Sequence, residues 1–233
     1  MRPYAIIVAG GKGLRMGGDV PKQFALLGGR PVLMHTIDAF VKAVPGIRVI
    51  LVLPEAQHSF WHSLCERHAF AEPHTIACGG TTRFHSVSNG LMHVPDESDV
   101  LVAVHDGVRP FVNAHTIQHC FAQAEVHGAV VPVVPVVETV RQLRAGGSCT
   151  VDRDAYRLVQ TPQTFQAPML KKAYAQPYVP QFTDDASVVE AMGVEVTLVQ
   201  GCRDNIKLTT PEDMQLAEAL LQCSASSRKQ KED

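Results

Sequence analysis

Between Ala9 and Lys22 the chain reads AGGKGLRMGGDVPK, and five of the nine residues from Gly10 to Gly18 are glycine. Gly10, Gly11, Gly13, Gly17 and Gly18 let a loop present consecutive backbone N–H groups in conformations that other residues resist. Gathered at the end of a strand, such groups form a concave cradle for phosphate oxygens. Arg15 and Lys22 add positive charge to a segment whose only acid is Asp19. The chemistry indicated is the binding of a triphosphate. The spacing excludes two common phosphate loops. A P-loop requires a glycine five residues before Gly11-Lys12, where Ile6 stands, and a Ser or Thr after the lysine, where Gly13 stands. Counted from Gly11, a dinucleotide fingerprint fails at Met16.

The elements around this loop set its direction. Tyr4 to Ala9 is a nearly continuous apolar run suited to a buried central strand. Helical and strand patterns then alternate: helix over 31–43, strand over 47–54, helix over 55–70, strand over 75–78, helix over 81–92, strand over 99–104. Trp61 is read as a packing residue. Asn113 is placed to cap a following helix with Ile117, Phe121 and Ala124 inward. This alternation implies a mainly parallel sheet with right-handed crossovers, whose ligands sit beyond the carboxyl ends of the strands. The glycine loop, Gly79-Gly80 and Asp106 are all expected there. Further on, Pro132 and Pro135 argue against a regular central strand over 129–139. Gly146-Gly147 marks a hairpin or protruding arm between 141 and 159. Thr210, Pro211 and Asp213 are spaced to start the last helix with a capping box.

Composition narrows the function class. At 233 residues the chain suits one large α/β domain, read as 1–223 with a flexible tail over 224–233. A formal charge of −2 argues against electrostatic nucleic-acid binding, and no apolar run is long enough for a membrane span. The early strand leaves no room for a signal or transit peptide, so a cytoplasmic protein is expected. Six scattered cysteines without a C-x-x-C motif read as reduced thiols. The pairs His58/His62 and His115/His119 lack a third ligand at a recognisable spacing and read as solvated helix faces.

Taken in order, these motifs resemble one family, the 2-C-methyl-D-erythritol 4-phosphate cytidylyltransferases of the non-mevalonate isoprenoid pathway. The resemblance spans nearly the whole chain. It is carried by the loop with Arg15 and Pro21-Lys22, by Gly79-Gly80 with Arg83 and Ser86, and by His105-Asp106 with Arg109-Pro110. Glu138-Thr139, Val151-Asp152-Arg153, Thr161-Pro162-Gln163, Thr183-Asp184 and Asp204-Asn205-Ile206-Lys207 complete it. It implies a Rossmann-like α/β fold of the nucleotide-diphospho-sugar transferase type, with helices on both faces of a twisted sheet and a protruding β-arm. It also implies transfer of CMP from CTP to a phosphorylated polyol, with release of pyrophosphate.

The resemblance further implies which residues act. Arg15, Lys22 and Lys207 are the expected catalytic residues. Ala9, Gly10, Gly11, Gly13, Arg15, Lys22, Gly80, Thr81, Ser86 and Gly107 are expected to bind CTP. Asp106, Arg109, Thr139, Arg153, Thr161, Thr183 and Lys207 are expected to bind the second substrate. Mg²⁺ or another divalent cation is the implied cofactor, with Asp106 its nearest carboxylate, directly or through water. The implied assembly is a homodimer that exchanges the arm over 139–161, so that Arg153 and Thr161 serve the neighbouring subunit. Family members often carry an acid after Gly80, where this chain has Thr81. Two rival readings are a ribitol-5-phosphate cytidylyltransferase and a nucleotide-binding protein without catalysis. The arm sequence and the Thr183–Ser187 segment favour the methylerythritol enzyme over the first. The presence of both Arg15 and Lys22 speaks against the second.

Overall fold

The computed structural model of the chain describes residues 1–10 and 21–229, with side chains as far as Cys223. Gly11, Gly13 and Arg15 of the expected triphosphate loop lie outside the described residues. From the amino end, the elements are β1 (Arg2–Val8), a short ribbon of β2 (Leu26–Leu27) and β3 (Arg30–Pro31), α1 (Val32–Ala43), β4 (Arg48–Leu53), α2 (His58–Arg67), β5 (His74–Cys78), α3 (Arg83–Leu91), β6 (Val100–Asp106) and α4 (Ala114–His127). The second half adds β7 (Ala129–Pro135), β8 (Arg141–Arg144), β9 (Gly147–Thr150), β10 (Arg157–Val159), β11 (Gln163–Gln166), α5 (Ala167–Tyr174), α6 (Asp185–Glu190), β12 (Thr197–Gln200) and α7 (Pro211–Lys229).

One eight-stranded sheet runs in the order β10-β7-β11-β6-β1-β4-β5, with β12 paired to β7. Strands β6, β1, β4 and β5 are mutually parallel, whereas β11 runs antiparallel between β6 and β7. The period-two alternation of the strands divides the core. Ala5, Ile7, Val49, Leu51, Leu101 and Ala103 face one layer with α1, α2 and α4. Tyr4, Ile6, Ile50, Val52, Val100 and Val102 face the other, with α3, α5 and α6. These strands are apolar at nearly every position because both faces are covered. Trp61 is fully buried in the first layer, its indole N–H donating to His74 Nε2 at 2.9 Å. Asn113 caps α4 by accepting from Thr116 N, and Asp213 accepts from the backbone of Thr209 and Thr210 at the start of α7.

One expectation is corrected. Residues 129–135 do form a strand inside the sheet, buried along most of its length. Its Pro132 is accommodated because the neighbouring pairing is broken there. Val159 lies opposite Val133 and Thr164 opposite Val130, so three steps along β7 face five on the returning chain. A proline is tolerated at such a bulge, where a ladder donor is already missing. The last helix, α7, runs to Lys229. The expected hairpin forms: β8 and β9 make a separate two-stranded sheet, with Arg144 opposite Gly147 and Gly146 at φ +85° in its turn. Glycine fits that left-handed position without the clash a Cβ brings.

Candidate active site

Strand register collects the site. Pairing of Val8 with Asp106 on one side and Val52 on the other, and of Leu53 with Cys78, aligns the carboxyl ends of β1, β6, β4 and β5. The segments leaving those ends border a cavity of about 720 Å³. Ala9 and Gly10 enter it from β1, Gly80 and Thr81 from β5, and Asp106 from β6. Lys22 and Lys207 come to its wall from distant segments, and Arg83 and Ser86 from the first turns of α3.

Glycine is required at position 80. A Cβ there would stand 2.4 Å from His85 Cβ and 2.7 Å from its carbonyl carbon. The Gly80 N–H donates to Ser86 Oγ at 3.0 Å, and Ser86 Oγ donates to the Thr82 carbonyl at 2.9 Å. Ser86 therefore shapes the turn as well as lining the cavity. Thr81 is exposed, with its hydroxyl 3.2 Å from His85 Nδ1. Gly107 is buried and donates to the Val8 carbonyl, which fastens the exit of β6 to that of β1.

Asp106 is the electrostatic centre. Its Oδ2 lies 3.0 Å from Lys207 Nζ and 3.1 Å from Arg109 Nε, and its Oδ1 lies 3.7 Å from Arg83 Nε. Burial by itself would raise the Asp106 pKa, but Arg83, Lys207 and Arg109 together hold the carboxyl well below the usual carboxylate range. Arg109 is further tied by Nη1 to the Asn205 carbonyl at 2.8 Å. Lys207, the most exposed of the three cations, borders the main cavity and a neighbouring one of about 420 Å³ that Arg109 and Arg203 also line.

The expected metal does not fit Asp106 as its holder. Both carboxylate oxygens already face cations, and no group of three His, Cys, Asp or Glu suited to a metal exists among the described residues.

Beneath Asp106 lies a buried polar relay. His105 is fully buried, with Nε2 3.1 Å from the Arg109 carbonyl and Nδ1 3.0 Å from Thr161 Oγ1. A carbonyl only accepts, so Nε2 carries the ring proton and Nδ1 accepts from the threonine hydroxyl. That hydroxyl in turn accepts from the Asp106 N–H at 3.1 Å. The expectation that Thr161 serves a neighbouring subunit is corrected: it is only 5% exposed and supports Asp106 within its own chain. The correction follows from β11, which begins at Gln163 and binds this segment into the sheet beside β6.

Burial pushes the His105 pKa down from 6.5 to about 4. Between those values the unfolded chain binds the proton and the folded chain does not, so stability falls as pH drops from 6.5 towards 4. The loss attributable to His105 is roughly 3 kcal/mol across that window. Urea unfolding at several pH values should show a flatter pH dependence for His105→Gln, whose amide can replace both hydrogen bonds. An unchanged slope in that variant would refute the assignment.

Other expected residues stand apart. Thr139 and Thr183 are exposed and do not line the main cavity. Arg153 is exposed in the turn Arg153–Ala155, where its guanidinium donates to the Val137 carbonyl. Two residues without an expected role enter the centre. Arg83 lines the cavity, and Asp185, fully buried on α6, receives both of its Nη groups at 2.9 and 2.6 Å. Arg83 is visible in the sequence as part of the Gly79-Gly80 motif, but Asp185, about a hundred residues further on, carries no signal of this pairing.

A family model for 2-C-methyl-D-erythritol 4-phosphate cytidylyltransferase matches residues 4–223. Relatives of that name from Phocaeicola vulgatus and Bacteroides thetaiotaomicron are 59% and 58% identical over 221 residues, which is 95% of this chain and 100% of each relative. The crystal structure of the Thermus thermophilus protein of the same name aligns with a TM-score of 0.73 at 33% identity, covering 94% of this chain and 98% of that one. The 4-diphosphocytidyl-2C-methyl-D-erythritol synthase of Anaerococcus prevotii aligns with a TM-score of 0.80 at 31% identity, covering 95% and 96%.

Proposed function

Since the chain belongs to the 2-C-methyl-D-erythritol 4-phosphate cytidylyltransferase family, we propose that the cavity beside Asp106 is where it transfers CMP. The enzyme joins CTP and 2-C-methyl-D-erythritol 4-phosphate in isoprenoid precursor synthesis. A phosphate oxygen of the acceptor attacks the α-phosphorus of CTP, a new P–O bond forms, and the bond to the β-phosphate breaks to release pyrophosphate. The observation that carries the site assignment is the gathering of Lys22, Arg83 and Lys207 around one cavity at the strand ends.

The roles of individual residues follow from charge. Nucleotidyl transfer needs little covalent help from the protein, which mainly positions groups and neutralises developing charge. In this reading the backbone N–H groups of the glycine loop serve the β- and γ-phosphates, and Arg15 serves the charge that builds around the α-phosphate. Lys22 faces the α-phosphate and the departing pyrophosphate. Lys207 and Arg109, anchored by Asp106, receive the acceptor phosphate. The acceptor is already anionic near neutral pH and needs no general base. A divalent cation, if used, would be held mainly by triphosphate oxygens and water and would supply charge neutralisation there, since Mg²⁺ is seldom held in an all-protein cage.

The enzyme works as a homodimer in this reading. Val137, Leu143, Tyr156 and Leu158, on or beside the hairpin, are all 45% exposed or more, an apolar surface suited to a second copy. The exchanged part in this reading stops before Arg157, because β10 and Thr161 pack within their own chain. Arg153 then completes the acceptor site of the partner, and Thr139 and Thr183 flank it. No described helix is long and apolar enough to cross a membrane, and the cysteines are free, which supports work in the cytoplasm.

Pyrophosphate release tests the reaction. It should be rapid with CTP and methylerythritol phosphate and slow with ribitol 5-phosphate; the reverse preference would overturn the acceptor assignment. CTP should exceed UTP by at least about 10²-fold in kcat/KM, because a wrong base leaves buried polar groups unpaired. Selectivity is assigned to the turn at Gly80 and Ser86 rather than to an acid, since Thr81 occupies that position. Equal kcat/KM for the two nucleotides would remove this turn from base reading.

A further inference from the structure

Arg83 is held from behind more elaborately than a surface ion pair requires. Its two Nη groups bond the two oxygens of Asp185, and the Tyr174 hydroxyl donates to Asp185 Oδ1 at 2.6 Å. Asp185 is 0% exposed, so these donors compensate a carboxylate that water cannot reach. The guanidinium is planar, and one N–H of each Nη group is committed to Asp185. Its Nε–H, the second N–H of each Nη group and its faces remain uncommitted to Asp185.

The support for Asp185 closes on the strand that carries Asp106. Asp184 and Ser187 cap α6 reciprocally. Gln163 donates to Asp184 Oδ2 at 2.8 Å and accepts from Ala186 N at 2.8 Å. Gln163 itself lies opposite Val104 on β6, two residues from Asp106. Contacts therefore run from β6 through Gln163, α6, Asp185 and Arg83 back to Asp106. Such a ring defines the angle of the guanidinium, not merely its charge.

We propose that Asp185 and Tyr174 are positioning residues for CMP transfer, holding Arg83 so that its Nε edge meets Asp106 at the cavity wall. This rests on the reading that transfer occurs beside Asp106. The loss of an interaction realised in the transition state lowers kcat and leaves the substrate KM nearly unchanged, whereas a purely structural contact changes stability alone.

Three variants test it, each assayed for pyrophosphate release well below its own Tm. Tyr174→Phe removes the hydroxyl and keeps the ring stacked on Phe84, whose centroid lies 4.7 Å away. Asp185→Asn keeps the shape and removes the charge, and Arg83→Lys keeps the charge and loses the fork. The expected kcat losses are about 3-fold for Tyr174→Phe and at least about 10-fold for the other two, with KM for CTP within about 3-fold of wild type. A lowered Tm with wild-type kcat in Tyr174→Phe and Arg83→Lys would overturn the inference. Those two decide the matter even where Asp185→Asn does not fold. A wild-type chain that released no pyrophosphate from CTP and methylerythritol phosphate would instead overturn the reading of the site, and this inference with it.

Discussion

Lys22→Ala should lower kcat by about 10²-fold or more, consistent with removal of one preorganised charge contact to the transition state. The backbone that carries Lys22 is well anchored. Gln23 is 1% exposed and donates to Gln57 at 2.9 Å, and Phe24 is 2% exposed against Phe60 and Trp61. The three-residue turn Lys22–Phe24 thus fixes where the ammonium group starts, on the wall of the cavity. Rigid placement matters because a donor already in position needs no reorganisation when charge moves onto the leaving pyrophosphate. The CTP KM should change much less than kcat, since the role proposed for the glycine loop is ground-state binding. Steady-state kinetics with CTP varied at saturating acceptor separates the two. Normal turnover with only a raised KM would assign Lys22 to uniform binding instead.

Mixing two inactive proteins should restore activity. An Arg153→Ala protein and a Lys22→Ala protein are each expected to be nearly inactive alone. Where Arg153 completes the neighbour's site, a mixed dimer has one doubly damaged site and one intact site. With equal amounts and random pairing, half the dimers are mixed, so about a quarter of wild-type activity per total site should return. The motivation is structural. Among the described residues the β8–β9 hairpin pairs only with itself, Leu143 on it is 84% exposed, and a two-stranded ribbon of this size is marginal in water without a surface to pack on. Subunit exchange must be verified independently, for example by mass spectrometry of differently tagged chains. Verified exchange with no recovery would place Arg153 in its own subunit's site.

Much of the architecture is legible in the residue order, for reasons that act over short distances. Continuous apolar runs such as Tyr4 to Val8 and Val49 to Leu53 become strands covered on both faces. Asn113 and the Thr210–Asp213 pair mark helix starts, because capping joins groups only three residues apart. The motifs at Gly79-Gly80 and Asp106 fall at strand ends, where parallel α/β sheets place their ligands. These features depend on local backbone chemistry and on periodicity, which a single chain displays openly.

The centre of the site depends on distance relations that no local pattern contains. Asp106 meets Arg83 and Lys207 because sheet register and the return of the chain before α7 bring them together. Pro132 argues locally against a strand, yet a bulge in the neighbouring chain removes the conflict. Thr161 looks like a ligand for a neighbouring subunit, and the pairing of β11 beside β6 turns it inward to His105 and Asp106. Asp185 acquires its role only when α6 brings it against Arg83 at the start of α3. A charge can remain buried when its partners are already fixed around it, and that condition belongs to the assembled core rather than to any stretch of the chain.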